Sequence, residues 1–190
     1  PVVRWSNTTN QLECQCMRWG LCNSWQKELT DPWSVFNARC ETLTLKPMFK
    51  SLLGTKRCVV TLDGFYEFKD HGNNSKQPFY LHHNIRGTPL MFAALYDVWS
   101  DKTTAPSDTP SMKTTESSVA SVTLLTMDSH SKLHWLHHRQ PVILNEETAR
   151  AWLDPDAESD VVLSQVRQHG RDPPLLWHPV SNQMNKAVYQ

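Results

Sequence analysis

The 190-residue chain contains no apolar run approaching the roughly 18 residues of a membrane-crossing helix. It carries no excess of charge, since 19 Lys and Arg balance 19 Asp and Glu. A zero total argues against binding driven by bulk charge. It leaves room for a nucleic-acid binder, which needs only a local basic patch. No Met stands at position 1, and "PVVRWSNTTNQLECQCMRWG" shows no leader pattern. The opening reads as the middle of a domain, so a preceding segment is expected. The five Cys, at positions 14, 16, 22, 40 and 58, are odd in number. With no leader pattern, that fits reduced thiols in an intracellular protein. The spacing C-x-C-x5-C lacks a second knuckle to complete a zinc site. Buried or incidental thiols are the reading, and no metal is expected.

The chain does hold eight Trp and many short β-forming runs. Trp is mostly structural, but an exposed Trp can stack on a base. "PVVRW" and "ECQCMRWG" predict two strands joined by the polar turn "SNTTNQ". "NARCETLTLKPMFKSLL" begins as a loop and becomes a helix with Leu45, Phe49, Leu52 and Leu53 on one face, closed by Gly54. "RCVVTLDGFYEFK" predicts a strand kinked at Asp63-Gly64. Further strands are predicted at "PFYLHH", "PLMFAALYDVWS" and "VASVTLLTMDS". Residues 101–118, rich in Ser, Thr, Pro, Asp and Lys, read as a flexible surface insertion. "HSKLHWLHHRQPVIL" is a loop entering a strand. "NEETARAWLD" is a helix capped by Asn145, "SDVVLSQVRQH" is another, and "LLWHPVSNQMN" is a last strand and tail. Strands outnumber helices, and βαβ alternation is absent. The predicted fold is α+β: one domain over 1–190, with a mixed, mostly antiparallel sheet curled into an open barrel and short flanking helices.

Three polar clusters stand at the edges of apolar strands: Asn37, Arg39 and Glu41 in "NARCET"; Glu67 in "GFYEF"; and His137, His138 and Arg139 in "LHHRQP". Each has a plain explanation. Asn37 could cap a turn, Arg39 could pair with Glu41, and His138 could be a solvated loop residue. Glu67 is harder to dismiss. In a strand, Phe65 and Glu67 share one face while Tyr66 and Phe68 take the other. If Tyr66 and Phe68 pack inward, Glu67 faces water. If the Phe65 face walls a cleft, Glu67 is partly desolvated and suited to general acid work. Spacing alone leaves both open.

The ordered set "MRWGL", "SW", "NARCET" with "KPMF", "RCVVTLDGFYEF", "QPFYL" and "HHRQPVIL", with "WHPVSNQMN" as an echo, closely resembles the SRAP family of abasic-site processing proteins. "LTMDS" and "HHRQPVIL" are nearer its animal members, which suggests a nuclear address. The resemblance implies a sensor and processor of abasic sites in single-stranded DNA. In the family an N-terminal Cys attacks the ring-opened sugar aldehyde and forms a thiazolidine crosslink. Lyase-type chemistry and a presumed peptidase activity also accompany the name. By the same resemblance, Asn37 would position the N-terminal segment and the DNA backbone. Glu67 would act as general acid and base, and His137 would hold a sugar or phosphate oxygen and move a proton. Arg39 and Arg139 would bind phosphates, Trp25 and Phe68 would wall the neighbouring bases, and His138 would also contact DNA. No cofactor, membrane or visible replication-associated partner is implied.

Departures from the pattern bear on activity. Residue 1 is Pro1, and none of the five Cys has an adjacent free amine. Cys40 stands where Ser is common, Gln140 replaces Met, Phe68 replaces Trp, and Cys22-Asn23 replace an apolar-Pro pair. The chain as it stands is therefore not expected to crosslink. Two alternatives remain beside the enzyme: a degenerate module gripping single-stranded DNA, and a cysteine-type peptidase pairing Cys40 with His137.

Overall fold

The computed structural model describes residues 1–29, 35–72, 76–101 and 118–185. The insertion expected at 101–118 lies almost wholly outside them. A hairpin opens the chain: β1 (Val2–Ser6) and β2 (Gln11–Gln15) pair from Val2↔Gln15 to Ser6↔Gln11. Asn10 closes the turn with φ 53° and donates its N–H to the Ser6 carbonyl at 2.8 Å. Asn tolerates this left-handed conformation better than most residues do.

β1 pairs antiparallel with β5 (Arg57–Leu62), β5 with β8 (Leu90–Ser100), and β8 with β9 (Ser118–Asp128). Two short strands, β3 (Arg18–Trp19) and β4 (Asn37–Arg39), run parallel to β9. β8 and β9 part beyond the Ala94↔Leu124 pair, and 139–144 fills the gap. There β10 (Arg139–Pro141) pairs with β9 and β11 (Ile143–Leu144) with β8. Val142 joins the two, donating to the Leu125 carbonyl and accepting from the Ala93 N–H, both at 2.9 Å.

One face of this sheet carries the helices α1 (Pro47–Leu53), α2 (Glu146–Leu153) and α3 (Ser159–His169). Phe49, Leu52, Val59, Leu95, Leu125, Trp152 and Val166 form the main core there. Trp152 is fully buried, and its indole N–H donates to the Cys58 carbonyl at 3.0 Å, so this large ring is buried without orphaning its polar atom. α2 starts at Asn145 as expected, with a capping box to Thr148. α1 starts at Pro47, so Leu45 precedes the helix and is exposed instead of joining its apolar face.

The predicted kink at Asp63-Gly64 is a change of sheet. β5 belongs to the large sheet, whereas β6 (Gly64–Asp70) forms a second, three-stranded antiparallel sheet with β7 (Lys76–His83) and β12 (Leu175–Pro179). Phe65, Phe79, Leu81 and Trp177 of this small sheet pack with Phe92, Leu133 and Leu136. The architecture is thus α+β and mostly antiparallel, as predicted, with the large sheet not closed into a barrel; the strands divide between two sheets.

Candidate active-site cleft

A cleft of about 390 Å³ lies over the sheet face opposite the helices. Its floor is apolar: Val2, Val60, Phe92, Val122 and Leu124. Its polar lining comes from separate parts of the chain: Asn37 of β4, Glu67 of β6, Thr126 of β9, and His137 with Arg139 and Gln140 at the start of β10. Glu67 faces the cleft because Gly64 returns the chain over the large sheet with Phe65 and Glu67 inward. Phe65 packs edge-on against Phe92 at 5.4 Å, and Glu67 stands half-buried two residues on. Of the two readings of Glu67, the structure has the cleft-wall one. Of its aromatic neighbours, Tyr66 packs on Tyr80 at 5.1 Å and also lines the cleft, whereas Phe68 lies on the face opposite Glu67.

His137 is held tightly by the backbone. Its Nδ1 lies 3.1 Å from the Arg139 carbonyl oxygen and 3.2 Å from the Arg139 amide nitrogen. Ser129 Oγ donates to the His137 carbonyl at 2.6 Å. With Nδ1 engaged, Nε2 is the nitrogen left for the cleft. A second, small cavity is also lined by Glu67, His137 and Arg139, so these three groups share both concavities.

The structure does not bring all eight predicted residues to this cleft. Arg39 is exposed, makes no ion pair or side-chain hydrogen bond among the described residues, and lines an adjoining groove with Asn37 and Lys46. His138 is exposed with its ring centroid 4.5 Å from that of His137. Phe68 is absent from the lining. Trp25 is 65 % exposed on a turn outside it. That turn is tied down by Ser24 N–H to Asp97 at 2.8 Å and by Trp99 to the Gln26 carbonyl at 3.0 Å.

Trp19 was missed as a site residue. It lines the cleft at 53 % exposure, with its indole N–H fixed on the Phe36 carbonyl at 3.0 Å and its ring 4.9 Å from Phe36. It sits in "MRWGL", one of the motifs quoted above, but two residues of strand give no alternation from which to read a face. Lys46 was likewise missed; its place beside Arg39 follows from the turn before α1.

Cys40 does not fit the peptidase alternative. It is buried in the main core, and burial, helped by the neighbouring Glu41, pushes its thiol up to about 12. Such a thiol does not supply a thiolate near neutral pH. Cys58 is likewise buried and raised, whereas Cys14 on β2 and Cys16 just beyond it are exposed.

The family model described as "SOS response associated peptidase (SRAP)" matches residues 1–187. The chain belongs to the SRAP family. Among curated SRAP-type relatives, the abasic site processing protein YoqW of Bacillus subtilis is 31 % identical over 158 residues, covering 82 % of this chain and 64 % of the relative. The abasic site processing protein HMCES of Xenopus tropicalis is 32 % identical over 197 residues, covering 90 % and 53 %. The chain thus spans less than two thirds of the length of these relatives. The fold matches a crystal structure of a protein from Bacteroides thetaiotaomicron, with TM-score 0.77 and 24 % identity over 100 % of this chain and 77 % of the other. A phage-related protein from Bordetella bronchiseptica matches with TM-score 0.64 and 25 % identity, over 96 % and 78 %.

Proposed function

We propose that this SRAP domain recognises abasic sites in single-stranded DNA and carries the proton-transfer half of their processing. The observation behind the reading is the convergence of Asn37, Glu67 and His137, from three distant parts of the chain, on one apolar-floored cleft. The relatives named for abasic-site processing support it. An abasic sugar has no base to fill its place in the strand, so a cleft of this size suits a bare deoxyribose. Asn37 holds the strand by hydrogen bonds. Glu67 donates a proton as the sugar ring opens and takes one back as an imine forms. His137 Nε2 holds a sugar or phosphate oxygen and moves a proton. Trp19 walls the cleft, and Arg39 with Lys46 leads the flanking phosphates into the adjoining groove.

Crosslinking in this reading follows the family scheme. An N-terminal Cys amine condenses with the sugar aldehyde, releasing water, and its thiol then adds across the C=N bond to close the thiazolidine ring. In this reading the amine and thiol are those of a Cys-led N-terminal segment, which the test below supplies.

The test uses a single-stranded oligonucleotide carrying one abasic site. It is incubated with this chain and with a form carrying a Cys-led N-terminal segment, then run on a denaturing gel. The expected result is a covalent band from the Cys-led form alone. Glu67→Gln should slow it by about 10²-fold or more while binding changes little. Binding without any covalent band in the Cys-led form would make this a DNA-gripping module and remove the catalytic roles.

A further inference from the structure

Arg139 lines the cleft, yet both Nη atoms of its guanidinium are occupied, while its Nε is buried without a hydrogen-bond partner. Nη1 donates to Glu41 Oε1 at 3.0 Å and to Asp128 Oδ1 at 2.6 Å; Nη2 donates to Glu41 Oε2 at 2.9 Å and to the Thr126 carbonyl at 2.8 Å. The Arg139 side chain is only 13 % exposed. A phosphate could take this fork only by displacing a bidentate carboxylate, the strongest partner an Arg has. The two acids are unequal. Asp128 is 82 % exposed and makes a single contact that water screens, whereas Glu41 is one-third exposed and holds both Nη atoms. Burial pushes the Glu41 carboxyl up, but the hydrogen bonds from Arg139 and from backbone N–H groups, together with the Arg139 charge, hold it below the usual carboxylate range.

The peptide groups of Arg139 have a separate task. His137 Nδ1 lies within 3.2 Å of both an acceptor, the Arg139 carbonyl, and a donor, the Arg139 amide. A neutral imidazole with its proton on Nδ1 donates to the carbonyl; with its proton on Nε2 it accepts from the amide. Both tautomers are satisfied with the ring in one place. The imidazolium is satisfied as well, since it also donates to the carbonyl. Nε2 can therefore give a proton and take one back without ring rotation. This works only while the Arg139 backbone is fixed relative to the ring.

We propose that Glu41 is a positioning residue for His137: by clamping the Arg139 side chain it fixes the peptide groups that hold Nδ1 in either tautomer, so that Nε2 serves the cleft as both donor and acceptor. The inference rests on the proton-carrying role assigned to His137 above. It recasts Arg139 as an internal strut in place of the phosphate ligand that the sequence suggests. It also gives the third polar residue of "NARCET" a task that does not involve DNA.

The Cys-led form is assayed on the abasic oligonucleotide, with rate measured across pH and Kd measured separately. Glu41→Gln should lower the rate by about 10-fold and shift the histidine limb of the pH profile, with Kd within about 3-fold of wild type. Glu41→Asp should restore part of the rate. If Glu41→Gln tightens binding, Arg139 is a phosphate ligand held in check and the proposal falls. If Glu41→Gln lowers Tm but leaves the pH limb in place, the pair is merely structural and the proposal also falls. Should Glu41→Gln fail to fold, Asp128→Asn loosens the same arginine from its weaker side. It is expected to shift the limb in the same direction by less, and an unmoved limb again overturns the proposal. His137→Gln separates the two readings. If it leaves the rate intact, the assigned function of the cleft fails. If it abolishes the rate while Glu41→Gln has no effect, only the positioning role fails.

Discussion

At the scale of single residues, the site is a set of side chains whose other bonds already decide how they can act. Trp19 has its indole N–H committed to the Phe36 carbonyl, so only its ring remains for a ligand. A ring fixed in this way meets a base with little loss of rotamer freedom. Trp19→Ala should weaken binding of the abasic oligonucleotide by about 1–3 kcal/mol, measured by fluorescence anisotropy. Trp25→Ala, on a turn outside the cleft, should have less effect. Equal losses would show that the strand also runs over the Trp25 turn. Asn37, Glu67 and His137 line one cleft, and that they belong to one place was legible in the sequence, because each sits in a motif of fixed order. The commitment of Arg139 to Glu41 was not. The two are 98 residues apart, and neighbouring residues suggested instead that Glu41 pairs with Arg39.

At the scale of elements, the decisive position is Gly64. Its φ is not what demands glycine; space is. A Cβ there would lie 2.4 Å from the Tyr80 ring and 2.5 Å from the Leu81 carbonyl oxygen. Tyr80 could swing aside, but the backbone carbonyl could not without shifting the β6–β7 ladder. Gly64→Ala should therefore cost about 1–3 kcal/mol, or roughly 2–10 °C in Tm by calorimetry. It should also slow the covalent reaction, because the same strand carries Glu67. An unchanged Tm would mean that the hinge yields freely. Asp63-Gly64 was readable as a break. That the chain crosses there to a second sheet was not, since alternation within a strand reports a buried face and not which sheet it joins. Arg57 shows another limit. It is buried and donates to carbonyls ending both α1 and α2, among them Leu53 at 2.8 Å and Trp152 at 2.7 Å. One cation thus serves two helix C-termini, where it is favoured by both hydrogen bonding and the helix dipole. Nothing local to "KRC" signals this.

At the scale of the whole molecule, helices cover one face of the large sheet, and the small sheet packs over part of the other. The cleft is the part of that second face left open. Net charge is zero, so any attraction for a nucleic-acid strand must come from the groove holding Arg39 and Lys46 and not from a long-range field. The dependence of log K on log salt should accordingly be shallow, and Arg39→Ala should reduce its slope by about 0.7, the loss of one phosphate contact on a single strand. A slope unchanged by the substitution would exclude this groove as the phosphate path. The class of fold was legible from the count and kind of strands. The open face was not, because the residues that floor it, such as Val122 and Phe92, look in sequence like any other core.

The place of Val142 between two ladders has one more consequence. Because residues 139–144 bond to β9 at one end and to β8 at the other, their length is fixed by the gap they fill. One added residue would turn each side chain beyond it to the opposite face, moving Ile143 out of the core while Gln140 kept its hold on Gly170. The stretch can therefore change its letters but not its length. Tolerance to insertion ends where the histidine's support begins.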